Sequence, residues 1–229
     1  MTLTPPISEE QAKERIAKRI ARHFLEQGRK LVINLGVGIP TMVANYIRGG
    51  TIFIQAENGI LGVGPLAQGD KIDRQLINAG RQPVTETPGC SYFDSATSFG
   101  MIRGGHVDAT VIGAFEVDEE GNISNWIIPN GKQLGVGGAM DLVTGAKQVI
   151  VGMQHTTRDG KSKLVKGCRL PVTGFGEVDL VVTELGVFAF KARRLVLKEI
   201  APEVSLESLT ALTEARFEVS PGLQPMALA

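Results

Sequence analysis

The sequence predicts an α/β protein built on an open, mostly parallel sheet flanked by helices. Three observations carry that prediction. Apolar runs of five or six residues recur at 31–35, 52–56, 108–113 and 148–153, as expected of strands covered on both faces. Helical patterns or glycine loops opening into helices stand between these runs, the order of βαβ units. Glycine is also in excess, 28 of 229 residues, against a typical ~7%. The glycines cluster at 36–38, 59–64, 104–105 and 135–138, after predicted strands, where open sheets of this kind gather their chemistry.

Taken in order, Ser8 and Gln11 form a capping box. Ile16, Ile20 and Phe24 then recur every four residues until Gly28 ends the helix. Arg15, Arg19 and Arg22 fall on its other faces and read as solvated surface, diluted by Glu14 and Glu26. Leu31–Leu35 is the first strand, and Pro40-Thr41 opens a short helix through Tyr46. The next strand, Ile52–Ala56, stops at Glu57-Asn58-Gly59. Taken alone, that stop is an Asn-Gly turn with a solvated carboxylate beside it. Its place past a buried strand, with three glycines from 59 to 64, also allows a ligand to approach the backbone.

Beyond it, 65–74 is polar and irregular, Pro88-Gly89 marks a turn, and Ser91–Ile102 is a helix ended by Gly104-Gly105. Asp108–Gly113 is a strand, and the acidic run Glu116, Asp118, Glu119, Glu120 has the turn chemistry of a solvated hairpin tip. Gly145 closes the segment from Gly135, and Gln148–Met153 is a further strand. Strands at Leu180–Glu184, Val187–Phe190 and Leu195–Ile200 follow, with a turn at Arg193-Arg194 and a last helix capped by Ser205. No linker or composition break divides the chain, so one domain over residues 1–229 is expected.

Twenty-four Lys and Arg against 24 Asp and Glu argue against a nucleic-acid or membrane-surface binder. Cys90 and Cys168 lack any CxxC partner, which favours a reducing, cytoplasmic setting over a zinc site or disulfide frame. Met1–Pro6 has neither the basic stretch nor the apolar core of a leader. Gly160-Lys161-Ser162 lacks the first glycine of a phosphate loop, because His155 stands there. Likewise Gly36-Val37-Gly38 lacks the third glycine of a dinucleotide fingerprint, because Thr41 stands there. His23, His106 and His155 show no metal-ligand spacing.

Two motifs remain, Glu57-Asn58-Gly59 and Gly135-Val136-Gly137-Gly138-Ala139-Met140-Asp141-Leu142. Together with Asn34–Thr41, Leu76–Gly80, Met101–His106 and Val182–Glu184, in this order, they make the chain resemble the B subunit of a family I (3-oxoacid type) coenzyme A transferase. The resemblance runs from about Ala12 to about Glu218 and carries the family's isomerase-like open α/β fold with it. Ala56 stands where many members have Ser, and Pro129-Asn130-Gly131-Lys132 where many read Pro-Gly-Lys.

The resemblance implies that Glu57 is a covalent nucleophile, and that Gly138, beside Gly137, donates to the oxyanion opposite a glutamine of an A subunit. It places Asn34, Gly36, Gly38, Asn58 and Gly59 at the substrate and CoA contacts. Coenzyme A is then a substrate and no cofactor is expected. The A subunit's glycine-rich CoA motif is absent from these 229 residues, so an αβ or α2β2 assembly with that protein is expected, with the 60–66 loop as a lid. Two other classes stay open: a sugar-phosphate isomerase or deaminase, for which no phosphate cradle stands near Glu57, and a non-catalytic regulatory subunit.

Overall fold

Ser8 starts the first helix as its capping box predicts: Ser8 Oγ accepts from Gln11 N, and Gln11 Oε1 accepts from Ser8 N. In this computed structural model, which describes residues 7–129, 131 and 135–227, the order of elements is α1 (Glu9–Leu25), β1 (Leu31–Leu35), α2 (Ile39–Met42), β2 (Ile52–Ala56), β3 (Ile60–Leu66), β4 (Val84–Tyr92) and α3 (Ser95–Arg103). There follow β5 (Ala109–Ile112), β6 (Glu116–Asp118), β7 (Ile123–Ser124), α4 (Ala139–Gly145), β8 (Val149–Gly152), β9 (Leu164–Val165), β10 (Leu180–Val182), β11 (Gly186–Lys191), β12 (Arg194–Ile200), α5 (Leu206–Leu212) and β13 (Glu218–Pro225). A single 3-10 turn, Val43–Tyr46, extends α2 as far as the sequence predicted. Met1–Pro6, together with Asn130 and Lys132 of the altered loop, lies outside the described residues.

Ten strands form one sheet in the order β13-β12-β11-β10-β8-β5-β1-β2-β3-β4. Its centre, β10-β8-β5-β1-β2, is wholly parallel. Antiparallel strands extend it on each side through β3 and β4 and through β11 and β12, and β13 returns parallel to β12. The α1 side chains Ile16, Ile20 and Phe24 pack with Leu31, Ile33, Val111 and Ile150 on one face. On the other face Ile102 of α3 and Leu142 of α4 pack with Val107 and Val32. Each buried side chain of this size contributes about 1.5–3 kcal/mol. Helices thus cover both faces of the parallel centre, which is why its strands read as unbroken apolar runs.

The arginines of α1 do not form the solvated face expected of them. Arg19 is only 7% exposed and its guanidinium forks onto Glu199 of β12. Arg15 donates to the Glu184 carbonyl at 3.0 Å and pairs with Glu203. Of the three, Arg22 fits the expectation, pairing with Glu26 one turn on. The reason is tertiary: β12 reaches the flank of α1 from more than 160 residues away along the chain.

The stretch 60–66 is a paired strand, so it is not the lid loop anticipated. Gly62 and Gly64 hid it, and they serve close strand packing. A Cβ on Gly62 would lie 2.9 Å from Thr87 Oγ1, and one on Gly64 2.8 Å from the Thr85 carbonyl. Pro88-Gly89 lies inside β4 and makes the predicted turn as a bulge: pairing with β3 jumps from Leu61–Ser91 to Val63–Glu86, and Gly89 has φ +85°. The α3 helix starts four residues later than expected, where Asp94 accepts from Thr97 N. The acidic run lies at a hairpin as predicted, but it is solvated only at Glu120: Glu116 and Asp118 belong to β6, and Asp118 is 4% exposed, its Oδ1 accepting from Glu120 N and Asn122 N. No helix among the described residues is long and apolar enough to cross a membrane.

His155 is fully buried, its ring nitrogens bonded to the Thr183 and Thr213 hydroxyls. Burial, with Lys163 nearby, pulls its pKa from 6.5 down to about 3. Between those values the unfolded chain binds a proton that the folded chain refuses, so stability is full above about 6.5 and falls as pH drops toward 3. From pH 7 to pH 5 this one group removes about 2 kcal/mol. Urea unfolding at the two pH values should show that extra loss in the wild type relative to His155→Gln. Equal losses in both proteins would contradict a neutral buried imidazole.

Candidate active site

Glu57 is the first residue of a three-residue loop, Glu57-Asn58-Gly59, that turns parallel β2 into antiparallel β3. Gly59 N donates to the Ala56 carbonyl at 3.0 Å and Phe93 N donates to the Gly59 carbonyl at 3.0 Å. The Asn-Gly turn is therefore present as read, but the carboxylate beside it is half-buried and not simply solvated. The loop needs glycine at its end: Gly59 has φ +118°, and a Cβ there would lie 2.1 Å from the Phe93 carbonyl oxygen. Because β2 belongs to the parallel centre, the loop emerges at the carboxyl ends of the strands.

The half-buried Glu57 side chain is held from two sides. From below, Asn34 at the end of β1 donates Nδ2 to Glu57 Oε2 at 3.0 Å. Asn34 Nδ2 also donates to Gln55 Oε1 at 2.8 Å, and Gln55 Nε2 donates to Ser98 Oγ of α3 at 2.8 Å. All three supporting residues are buried. From the side, Gly138 at the start of α4 comes so near that a Cβ on it would sit 3.4 Å from Glu57 Cγ and 3.1 Å from the Phe99 ring. The α4 helix is fixed to α3 by the Arg103–Asp141 ion pair (2.6 Å) and by Gly145, where a Cβ would meet the Ile102 carbonyl at 2.5 Å. The two motifs singled out in the sequence, about 80 residues apart, are thus brought together at one carboxylate.

The remaining predicted residues divide. Gly38 and Asn58 are exposed beside the loop, Asn58 Nδ2 donating to the Ile77 carbonyl at 2.8 Å. Gly137 has φ +50° and open space around it. Gly36 donates to the Val111 carbonyl and accepts from Thr41 Oγ1, so its backbone is engaged within the fold. Asn34 and Gly59 are held within the fold. Both are buried, with Asn34 under the carboxylate and both Gly59 backbone groups paired inside the chain.

Sequence reasoning missed Gln55, Ser98 and Phe99. A signal for Gln55 existed, since a lone amide in a doubly covered apolar strand must find a buried partner. Nothing local marked Ser98 or Phe99. Val37 after β1, Tyr92 at the end of β4 and Met140 in the first turn of α4 stand 69%, 56% and 43% exposed.

A family profile described as Coenzyme A transferase matches residues 13–211. The beta subunit of the acetate CoA-transferase of Haemophilus influenzae is 51% identical over 216 residues, 94% of this chain and 95% of that protein. The B subunit of the succinyl-CoA:3-ketoacid coenzyme A transferase of Helicobacter pylori (strain ATCC 700392 / 26695) is 47% identical over 207 residues, 90% of this chain and 99% of that protein. The solved acyl-CoA transferase (YdiF) apoenzyme of Escherichia coli O157:H7 shares the fold at a TM-score of 0.73 and 24% identity. It aligns with 99% of this chain, which spans 45% of that longer one.

Replacing Gly59 by Ala forces a side chain against backbone at a φ it rarely adopts, a strain of about 1–3 kcal/mol before the clash is added. Thermal or urea unfolding of Gly59→Ala should show at least that loss. Wild-type stability in this variant would contradict the close approach of Phe93.

Proposed function

This chain belongs to the coenzyme A transferase family, and on that premise we propose that Glu57 is the group through which CoA passes between short-chain carboxylic acids. The observation that carries the reading is one carboxylate at the carboxyl end of a parallel strand, tethered by Asn34 and flanked by Gly138. A transfer that conserves thioester energy needs a covalent carrier, and an ionised carboxylate is a suitable nucleophile. Glu57 attacks the acyl-CoA carbonyl and gives a mixed anhydride and CoA thiolate. The thiolate then attacks the Glu57 carbonyl, releasing the first acid and leaving a glutamyl-CoA thioester. The second acid runs these steps in reverse. The Gly138 N–H, beside Gly137, is the donor this reading assigns to the oxyanion on the substrate, an interaction usually worth about 3 kcal/mol.

The chain is one subunit of a CoA-transferase, and its partner is an A subunit in an αβ or α2β2 assembly. Three facts support this. The relatives are named as B or beta subunits, the chain spans less than half of the YdiF chain, and Val37, Tyr92 and Met140 are exposed, Tyr92 beside Phe93, which bonds the loop at Gly59. Apolar surface of that kind marks an interaction site. Covering it would keep water from the thioester. CoA enters as a substrate, held largely by the partner, and no further cofactor takes part. Balanced charge and unpaired Cys90 and Cys168 support a cytoplasmic setting.

The test is a transferase assay with acetoacetyl-CoA and acetate, using the chain with and without a co-expressed A subunit. Activity is expected only from the complex. Glu57→Gln should abolish it, since an amide cannot form the anhydride, and Glu57→Asp should lose ~10²-fold by misplacing the oxygen. Turnover by the Gln variant would overturn the role of Glu57, and full activity of the isolated chain would overturn the need for a partner.

A further inference from the structure

Glu57 and Gly138 come from distant parts of the chain, and adjacent residues of α3 hold them both. We propose that Phe99 is a positioning residue for the transfer, its ring fixing the distance between Gly138 and the Glu57 side chain. This rests on the reading of Glu57 as the covalent carrier and of Gly138 as the oxyanion donor.

Ser98 is the anchor on the carboxylate's side. Its buried hydroxyl accepts from Gln55, whose Oε1 accepts from Asn34, and Asn34 donates to Glu57. Phe99, the next residue, is the anchor on the glycine's side. The point where a Cβ on Gly138 would stand is 3.1 Å from Cε1 and Cζ of the ring and 3.4 Å from Glu57 Cγ. Ring, glycine and nucleophile therefore converge on one spot. The ring packs with Ile102, Val107 and Leu142, and the Arg103 guanidinium lies 5.7 Å from its centroid. Arg103 Nε also pairs with Asp141 in the first turn of α4 at 2.6 Å, so one side chain backs the ring and ties the helix that Gly138 starts. The α3 helix is thus a common reference for both halves of the site.

Backbone conformation does not explain the glycine. Gly138 has φ −88° and ψ 6°, which alanine can adopt. Nor does Glu57, since 3.4 Å between carbons is ordinary van der Waals contact. The contact that excludes a side chain at position 138 is the 3.1 Å approach to an anchored ring. Phe99 therefore acts as a spacer, seated against the glycine on one side and held by α3 on the other. An oxyanion donor contributes most when its place is set before charge develops. A misplacement of about 1 Å can cost ~10²-fold in rate.

The experiment measures steady-state transfer by the reconstituted two-subunit enzyme carrying Phe99→Leu, Gly138→Ala, both together, or Glu57→Gln. Phe99→Leu should lower kcat by roughly 10–10²-fold with little change in KM for either substrate. Gly138→Ala should also lose kcat, because its methyl group meets the ring. The double variant removes that collision, so its loss should be smaller than the product of the two single losses by roughly 10-fold. A ring that served packing alone would lower stability without this coupling. Wild-type kcat in Phe99→Leu, a change confined to KM, or multiplicative losses in the double variant would overturn the proposal. Should Phe99→Leu not fold, Phe99→Met carries the same cycle, since its flexible chain fills the gap and still yields to the methyl group. Turnover in Glu57→Gln would instead overturn the underlying reading of Glu57, so the two failures are distinct.

Discussion

The parallel pairing of β1 with β2 sets Asn34 opposite Gln55, and the geometry at the carboxylate depends on that register. Side chains alternate along a strand, so a one-residue slip of either strand would turn its own amide, Asn34 or Gln55, toward the α1 face and bury it among Ile16, Ile20 and Phe24. An unpaired buried amide costs about 1–3 kcal/mol. The apolar face of α1 therefore fixes the register from one side of the sheet, and the Asn34–Gln55–Ser98 chain fixes it from the other. Thr110, the β5 neighbour of Asn34 in register, extends the polar row onto a third strand. Stability and positioning are thus supplied by the same contacts.

Much of the parallel centre was legible because strands covered on both faces leave unbroken apolar runs, as Leu31–Leu35 and Ile52–Ala56 do. Helix ends were legible where a cap is local, as at Ser8 and Ser205. The flanks were not. Gly62 and Gly64 interrupt β3 with residues chosen for the approach of β4, a reason that lies some twenty residues away. The Pro221-Gly222 pair within β13 likewise reads as a turn in isolation, and it sits in a bulge of this edge strand, where pairing with β12 jumps from Leu197–Val219 to Glu199–Gln224.

The site was legible in a different way. Glu57 and Gly138 were found through motifs, and the fold brings these motifs together by docking α4 on α3. Asn34 was also picked out, for substrate or CoA contact, since a motif records that a residue matters and not which way it faces. In the fold it is buried and its Nδ2 donates to the Glu57 carboxylate. The glycines divide in the same manner. Gly59 shapes the loop, Gly145 lets two helices touch, and Gly138 keeps space beside Glu57. A composition excess that suggested one purpose therefore has several.

On the proposed mechanism the Glu57 carboxyl itself carries CoA during turnover. Borohydride reduces a glutamyl thioester but leaves a free carboxylate untouched, so it tests that claim directly. The two-subunit enzyme is incubated with acyl-CoA in the absence of acceptor acid, treated with borohydride, digested, and the peptide spanning Glu57 is analysed by mass spectrometry. Reduction of Glu57 to the alcohol is expected, dependent on both acyl-CoA and the A subunit. An unmodified Glu57 in enzyme that is demonstrably turning over, or reduction at a different carboxylate, would contradict it.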